Sequence, residues 1–320
     1  MKVSHAYFPA FDVFRGIGIL FVVLAHTPTW NDTLAPIRPI GALGVHMFFA
    51  LSGFLITYRF VEEYEQTGRI DLRSFYRRRA RRILPPAVIY LAVLAAMGMA
   101  SLKEIAACLF FYRNLITGGW YTGHFWSLSL EEQFYLAWPL LLVGLGIARA
   151  RIAGIGIIVL TVIWRIHVFS VDAAANIYRP DLLADHLLWG CLIALSWKKV
   201  LLIPGWIRMG IGVAGIVAAT LLIYEQPRFW QPVFALCVAV GFILAAEASQ
   251  SWAAKLMPVR KLGEASYDCY LWQSLFLPLP FARMALPFAQ RLPWSYLFIG
   301  VITAGSFWLT FPRRRRVNPT

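Results

Sequence analysis

The first apolar stretch, FDVFRGIGILFVVLAH, contains two residues whose side chains could bind a substrate or react with it, Arg15 and His26. A histidine that titrates near neutral pH suits general-base work, and an arginine suits the binding of an anion. Eleven helical steps of about 100° return to within about 20° of the starting direction, so both would share one face, about 16 Å apart. Spacing alone also permits an ion pair of Arg15 with Asp12 or another carboxylate, and an interfacial role for His26.

Glu131 and Glu132 stand at the start of another apolar run, in HFWSLSLEEQFYLAWPLLL. Paired acids entering a membrane are rare and need partners such as arginine or histidine. A helix N-terminus also favours acids, which is the local alternative. Together with Ser127, Ser129 and Gln133, however, the two glutamates form a polar cluster, which favours a functional site.

The stretch SFYRRRARRILPP, residues 74–86, is rich in arginine. Arginine forks match phosphate geometry, so Arg79 and Arg82 could bind a phosphorylated cytoplasmic ligand. The alternative is that these charges set topology and contact lipid headgroups. Pro85 and Pro86 predict the start of a membrane helix at this point.

His46 lies near the predicted outer end of the second apolar segment, roughly level with His26. Two histidines are too few to hold a metal ion, and we predict no metal site. Further polar side chains occur in or beside the fifth and sixth apolar segments: Arg165, His167, Asp181, Asp185 and His186. These side chains could line a polar cavity or pair with one another, and both interpretations stay open.

The composition of the chain identifies it as an integral membrane protein. Of its 320 residues 59% are hydrophobic and 14% are charged, and the mean hydropathy is +0.63. The apolar runs predict an all-α, polytopic helix bundle that forms a single integral-membrane domain over residues 1–320. About ten transmembrane helices are expected, at 11–28, 41–60, 83–101, 125–146, 153–170, 181–197, 207–224, 231–248, 266–284 and 294–312.

The net charge of +14 does not indicate nucleic-acid binding, because the basic residues cluster in short stretches between apolar runs. That pattern follows the positive-inside rule and predicts that both termini are cytoplasmic. The longest hydrophilic stretch, 61–82, is expected to be a cytoplasmic loop. Segment 104–116 is apolar but short, as in re-entrant or interfacial pieces.

Taken together, five stretches resemble motifs of the acyltransferase 3 family of membrane acyltransferases. The family's arginine–ten residues–histidine pattern is matched by Arg15 and His26. Its GVDLFFVLSGFLIT, FYLRRxxRILP, WSLSVEEQFYLLWP and SYSLYLWH motifs resemble GVHMFFALSGFLIT, FYRRRARRILP, WSLSLEEQFYLAWP and SYDCYLWQ. Two positions depart from the family: its aspartate is His46 here and its late histidine is Gln273.

The resemblance implies an enzyme that transfers an acetyl or similar short acyl group from cytoplasmic acetyl-CoA to a hydroxyl of an envelope or exported polysaccharide or a lipid-linked saccharide. It also implies a lipid-embedded, multi-pass protein of the bacterial inner membrane. In that family His26 is similar to the catalytic histidine and Arg15 to its essential partner, which also contacts the donor. Arg79 and Arg82 are similar to residues proposed to contact the CoA phosphates, and Glu131 to a carboxylate that orients a catalytic group. We expect the substrate to contact Trp126, Ser127, Glu132 and His46.

The sequence does not decide the route of the reaction or the class of protein. His26 could act as a general base or carry the acyl group covalently between two half-reactions. The competing class is a transporter or flippase of a glycan or acidic solute, with Arg15, Glu131 and His26 as a relay. The sequence shows no inverted repeat of the kind many transporters have. A structural membrane scaffold is the third alternative.

Overall fold

The computed structural model describes residues 7–27, 38–224, 227–253, 255–277 and 294–310, without the side chains of 227–229 and 309–310. All regular structure in these ranges is helical, which confirms the all-α prediction. A short 3-10 turn, Arg113–Leu115, lies between the fourth and fifth helices. The helices are α1 (Pro9–Ala25), α2 (Ile40–Thr67), α3 (Leu72–Ala96), α4 (Leu102–Leu109), α5 (Trp120–Gly123), α6 (Phe125–Val171), α7 (Pro180–Leu195), α8 (Trp197–Val200), α9 (Gly205–Leu222), α10 (Pro227–Ala248), α11 (Gln250–Ala253), α12 (Met257–Glu264), α13 (Ser266–Phe276) and α14 (Trp294–Thr310).

Each of the ten predicted spans overlaps a helix. Within the described ranges, four helical segments are long and apolar enough to cross a membrane: Ile40–Thr67, Trp120–Val171, Gly205–Leu222 and Trp230–Ala248. The chain is therefore a multi-pass membrane protein by the length and composition of its helices. Ten crossings and cytoplasmic termini stay predictions, and both termini and residues 278–284 of the ninth predicted span lie outside the described residues.

Helix α2 lies at the centre of the bundle, against α1, α7 and α10. Its approach to α7 is close enough to require glycine. A Cβ on Gly53 would lie 2.1 Å from the carbonyl oxygen of Leu187, and a Cβ on Gly190 would lie 2.1 Å from that of Ala50. Small residues at such crossings bring the backbones together and fix the register of the two helices. This register places Ser52, next to Gly53, over the cavity described below.

Helix α3 begins at Leu72, well before the proline pair, so the prediction that Pro85 and Pro86 mark a helix start is wrong. The side chain of Asp71 caps the first turn by accepting from the backbone N–H of Ser74 at 2.9 Å, and both prolines lie inside the helix. The cap supplies the start signal that the prolines were expected to give.

Most of the stretch 61–82, which is predicted to be a cytoplasmic loop, is helical. Helix α2 continues to Thr67 and ends at Gly68, whose φ of 71° gives it the left-handed conformation typical of a glycine cap. Only residues 68–71 connect it to α3. The arginines of this region therefore stand on a helix, at fixed angles to one another.

Helix α6 contains the fourth and fifth predicted spans in one run. Gly146 separates them, with a φ of 75° and a ψ of 164° that interrupt the helical path. The short apolar segment 104–116 forms α4 and the 3-10 turn. Neither is long enough to cross a membrane, in agreement with the prediction of a re-entrant or interfacial piece.

Candidate active site

A cavity opens between α1, α2, α3, α6 and α13. Its polar lining contains most of the predicted site residues: Arg15, Arg79, Arg82, Ser127, Glu131 and Glu132. The other polar residues of the lining are Ser52, Tyr135, Ser266, Tyr267 and Tyr270. The bundle therefore brings residues from five separate helices to one place, as a binding site for a polar ligand requires.

Arg79 is the centre of this lining. Its Nε donates to Glu132 Oε1 at 3.0 Å, and one terminal nitrogen lies 4.0 Å from Glu131 Oε2. The guanidinium carbon lies 3.1 Å from the centroid of the Tyr135 ring, a cation–π contact. The expectation that the two acids need a basic partner is confirmed, and that partner is on α3.

Glu131 is held from two further directions. Tyr135, one turn later on α6, donates its hydroxyl at 3.0 Å, and Ser52 of α2 donates at 3.3 Å. A carboxylate with three polar partners from α2, α3 and α6 has a fixed orientation. The role in orienting a catalytic group, which the family resemblance implies for Glu131, stays a prediction.

Arg15 lines the same cavity and also pairs with Asp12, at 3.7 Å. Asp12 in turn accepts from the hydroxyl of Tyr7 at 2.8 Å. The structural ion pair and the cavity position are therefore compatible, and the sequence alternatives for Arg15 do not exclude each other.

The cavity continues into a second chamber lined by Arg59 and Arg78 together with Arg15, Arg79 and Arg82. Five arginines and the single acid Glu63 give this chamber an excess of positive charge. Such a surface suits a ligand with several phosphates. Sequence reasoning missed Arg59 and Arg78, although Arg59 lies two residues after the quoted GVHMFFALSGFLIT stretch and Arg78 belongs to the arginine-rich stretch.

His26 lies at the other end of α1, as the residue that caps its C-terminus. Its Nδ1 is 2.7 Å from the carbonyl oxygen of Val22. Because that oxygen only accepts, the neutral ring carries its proton on Nδ1 and leaves the lone pair on Nε2. The next residue, Thr27, shares a hydrogen bond of 2.8 Å with the hydroxyl of Tyr296, which fixes the end of α1 against α14.

His26 does not line the arginine cavity, but polar side chains extend from the cavity towards its surroundings. Ser127 lines the cavity, and its hydroxyl lies 2.7 Å from that of Tyr270. Tyr270 donates to the carbonyl of His124 at 3.0 Å, and the ring Nδ1 of His124 lies 3.0 Å from Ser274 Oγ. Sequence reasoning missed these three partners, although all of them lie in or beside the quoted HFWSLSLEEQ and SYDCYLWQ stretches.

Trp126 and His46 lie elsewhere. Trp126 packs on Tyr178, with ring centroids 4.3 Å apart, outside the lining of both chambers. His46 is buried and stacks on His186 at 4.2 Å. The structure therefore does not bring His46 together with His26 or with the arginine cavity.

The remaining polar residues of the fifth and sixth segments lie outside the lining of both chambers. Arg165 and Asp185 form a fully buried ion pair beside His186. His167 contacts the ring of Trp164 instead. Mutual pairing, one of the two alternatives from the sequence, is observed for Arg165 and Asp185, whereas Asp181 pairs with Arg179. Gln273, at the position of the family's late histidine, is fully buried. In the described part of the chain no group of three or more His, Cys, Asp and Glu residues could hold a metal ion.

The sequence matches the model of an acyltransferase domain over residues 8–311. The chain therefore belongs to this family of acyltransferase domains, as the motifs predicted. No solved structure matches it.

Curated relatives carry names consistent with that family. The peptidoglycan O-acetyltransferase OatA of Listeria monocytogenes is 27% identical over 319 residues, which cover 85% of this chain and 49% of the relative. A putative peptidoglycan O-acetyltransferase of Bacillus subtilis, YrhL, is 27% identical, with 84% and 48% covered. A putative O-acetyltransferase of Staphylococcus aureus is 29% identical, with 83% and 50% covered. The chain spans about half the length of these relatives.

The ion pair at the centre of the cavity predicts a specific pattern of stability. Arg79→Met leaves Glu132 without its hydrogen-bond donor, which should cost about 1–3 kcal/mol of unfolding free energy. The double variant Arg79→Met/Glu132→Gln removes one of the two stranded charges and should recover part of that loss. Thermal unfolding of the purified protein in detergent measures both.

The matched control is Arg179→Met, which breaks a surface ion pair with Asp181. Both partners are more than a third exposed, and such pairs contribute less than about 1 kcal/mol. An Arg79→Met protein as stable as the Arg179→Met protein would contradict the assigned role of Arg79.

Proposed function

We propose that the protein is a membrane-embedded O-acyltransferase. It transfers an acetyl or another short acyl group from cytoplasmic acyl-CoA to a hydroxyl of a carbohydrate acceptor. The observation that carries the proposal is the chamber with five arginines, which opens beside the Arg79–Glu131–Glu132 cluster of a chain in the acyltransferase family. Family membership supplies the reaction class, and the cavity supplies a place for a polyanionic donor.

The nucleotide end of CoA fits the arginine chamber by charge. Arg79 and Arg82 would contact its phosphates, with Arg59 of α2 and Arg78 of α3 adding positive charge. Arg79 is held in place by Glu132 and by the Tyr135 ring before any ligand binds. A guanidinium that is already ordered loses little side-chain entropy on binding, which favours affinity.

The acyl end of the donor would extend from this chamber past Arg15 and Ser127, which line the same cavity. His26 lies about 16 Å further along the α1 axis than Arg15, by the rise of a helix. The donor would therefore enter from the cytoplasmic side, and the acceptor would reach His26 from the opposite side of the bacterial plasma membrane.

His26 has the tautomer that a general base needs at that point. With Nδ1–H donated to Val22, the free lone pair of Nε2 can take the proton of the acceptor hydroxyl. The hydroxyl oxygen then attacks the thioester carbonyl, the C–S bond breaks, and CoA leaves with the sulfur. A covalent acyl-histidine route would use the same Nε2 atom as nucleophile.

The names of the relatives suggest peptidoglycan as one acceptor to test, and other envelope or exported polysaccharides carry the same sugar hydroxyls. The proposed class of acceptor therefore rests on the names of these relatives.

The role of His26 predicts that His26→Ala abolishes transfer of labelled acetyl from acetyl-CoA to peptidoglycan fragments by the purified protein. Loss of a catalytic base typically lowers the rate by about 10²–10⁴-fold. His167→Ala, which removes a histidine of α6 outside the cavity, is the control and should transfer at the normal rate. Full transfer by His26→Ala would exclude the proposed role, and solute uptake by vesicles without CoA release would favour a transporter.

The donor site predicts a separate effect on binding. Arg82→Gln should raise KM for acetyl-CoA about tenfold or more and leave kcat nearly unchanged, because a charged hydrogen bond to phosphate contributes about 1.5–3 kcal/mol. Arg81→Gln is the matched control, since Arg81 is the neighbour of Arg82 on α3 but does not line the cavity. Equal KM values for the two variants would contradict the placement of CoA.

A further inference from the structure

The segment between α4 and α5 is folded around one buried arginine. Arg113 donates to the carbonyl oxygen of Ile116 at 2.6 Å and to those of Gly118 and Gly119. Its side chain is only 3% exposed. One guanidinium thus satisfies three carbonyls of a loop that has no regular structure, and it fixes the path of the chain up to Gly119.

A second set of contacts holds the arginine itself. Its Nε donates to Thr122 Oγ1 at 3.1 Å, and Thr122 donates to Glu104 Oε1 at 3.1 Å. Glu104 also accepts from Ser101 in the capping box of α4. Burial raises the pKa of Glu104, but the hydrogen bonds from Ser101 and Thr122 and the charge of Arg113 outweigh it, so the pKa lies below its usual range. Glu104 is therefore ionised at neutral pH and balances the charge of Arg113, 4.0 Å away.

Gly119 is the point where this arginine clamp meets the next helix. Its φ is 59°, and a Cβ there would lie 1.6 Å from Glu104 Oε1. Any other residue would both strain the backbone and displace the carboxylate. The clamp and the glycine therefore depend on each other.

Trp120 follows Gly119 directly and begins α5. Its ring centroid lies 5.6 Å from that of His26, and its indole N–H donates to the carbonyl of Ser274 at 3.1 Å. The hydroxyl of Tyr90 holds the next residue by donating to the carbonyl of Tyr121 at 2.7 Å. The indole is thus fixed at its backbone and at its far edge, with His26 against its ring.

We propose that the clamp of Arg113, Glu104 and Gly119 is a positioning device for His26, and that it acts through Trp120. This inference rests on the proposed function, in which His26 is the residue that reacts. The Val22 carbonyl sets the tautomer of His26, and the indole limits rotation of its ring. An indole within about 6 Å of an imidazolium also stabilises the positive charge that the ring gains when it takes a proton.

The test compares two glycines of the same segment. Gly119→Ala should lower kcat for transfer from acetyl-CoA to peptidoglycan fragments at least tenfold, with KM for acetyl-CoA unchanged, because the donor chamber is not touched. Gly123→Ala should behave as the wild type, since a Cβ on Gly123 meets no atom within 4 Å. Arg113→Met should reproduce the loss of kcat, and Arg113→Lys, which keeps the charge and some carbonyl contacts, should recover part of it.

Folding is checked by the thermal midpoint and the elution profile in detergent. If Gly119→Ala and Arg113→Met fail to fold, the positioning role is tested instead by comparing kcat of Trp120→Phe with kcat of Trp120→Leu. Phe keeps a ring against His26 and should retain more kcat than Leu. Equal kcat values in these two variants would overturn the proposal.

The result for His26→Ala separates this inference from the function on which it rests. An inactive His26→Ala together with wild-type kcat in folded Gly119→Ala and Arg113→Met would overturn the positioning role alone. A raised KM with unchanged kcat in those two variants would also overturn it, because the clamp would then serve the donor. An active His26→Ala would overturn the catalytic assignment itself.

Discussion

The rest of the candidate site depends on the contact of Arg79 with Glu131 and Glu132. Three ionisable groups in a bundle this apolar are costly unless they neutralise one another, and one guanidinium between two carboxylates achieves this with only one charge left over. The contact joins α3 to α6. It turns the face of α3 that carries Arg78 and Arg82 towards the cavity. Without it the two acids would repel each other, and the wall of the cavity would lose its fixed arrangement.

The site has two ends with different physical requirements. The arginine chamber is positively charged, as a site for a polyanion should be. The His26 end contains an aromatic contact, with the imidazole between a backbone carbonyl and an indole. Serine, tyrosine and histidine side chains extend between them, from Ser127 through Tyr270 to His124. Separate ends connected by polar groups suit a reaction whose two substrates approach from opposite sides of a membrane.

Much of this arrangement could be predicted from the sequence, because membrane helices leave strong local signals. Apolar runs predicted the helices, and the cost of paired acids in lipid predicted a basic partner for Glu131 and Glu132. The start of α3 was missed because Asp71 caps the helix, and a polar cap far from an apolar run gives a weaker signal than two prolines. The division of one helical run at Gly146 depends on a backbone conformation that glycine permits but does not require.

Contacts between distant parts of the chain could not be predicted in the same way. The stacking of His46 on His186 depends on the close approach of α2 and α7, which is set by glycines in both helices. In the sequence Arg113 is a single basic residue near the end of the short apolar segment 104–116. Its role became visible only with the carbonyls of Ile116, Gly118 and Gly119 around it, since backbone groups have no signature in the side-chain pattern.

In the proposed reaction, donor and acceptor approach from opposite sides of the membrane. This arrangement can be measured in proteoliposomes that contain labelled acetyl-CoA inside and peptidoglycan fragments outside. We expect labelled acetyl on the external fragments and free CoA inside the vesicles. Acetylation that occurs only when acetyl-CoA and the fragments are on the same side would contradict it.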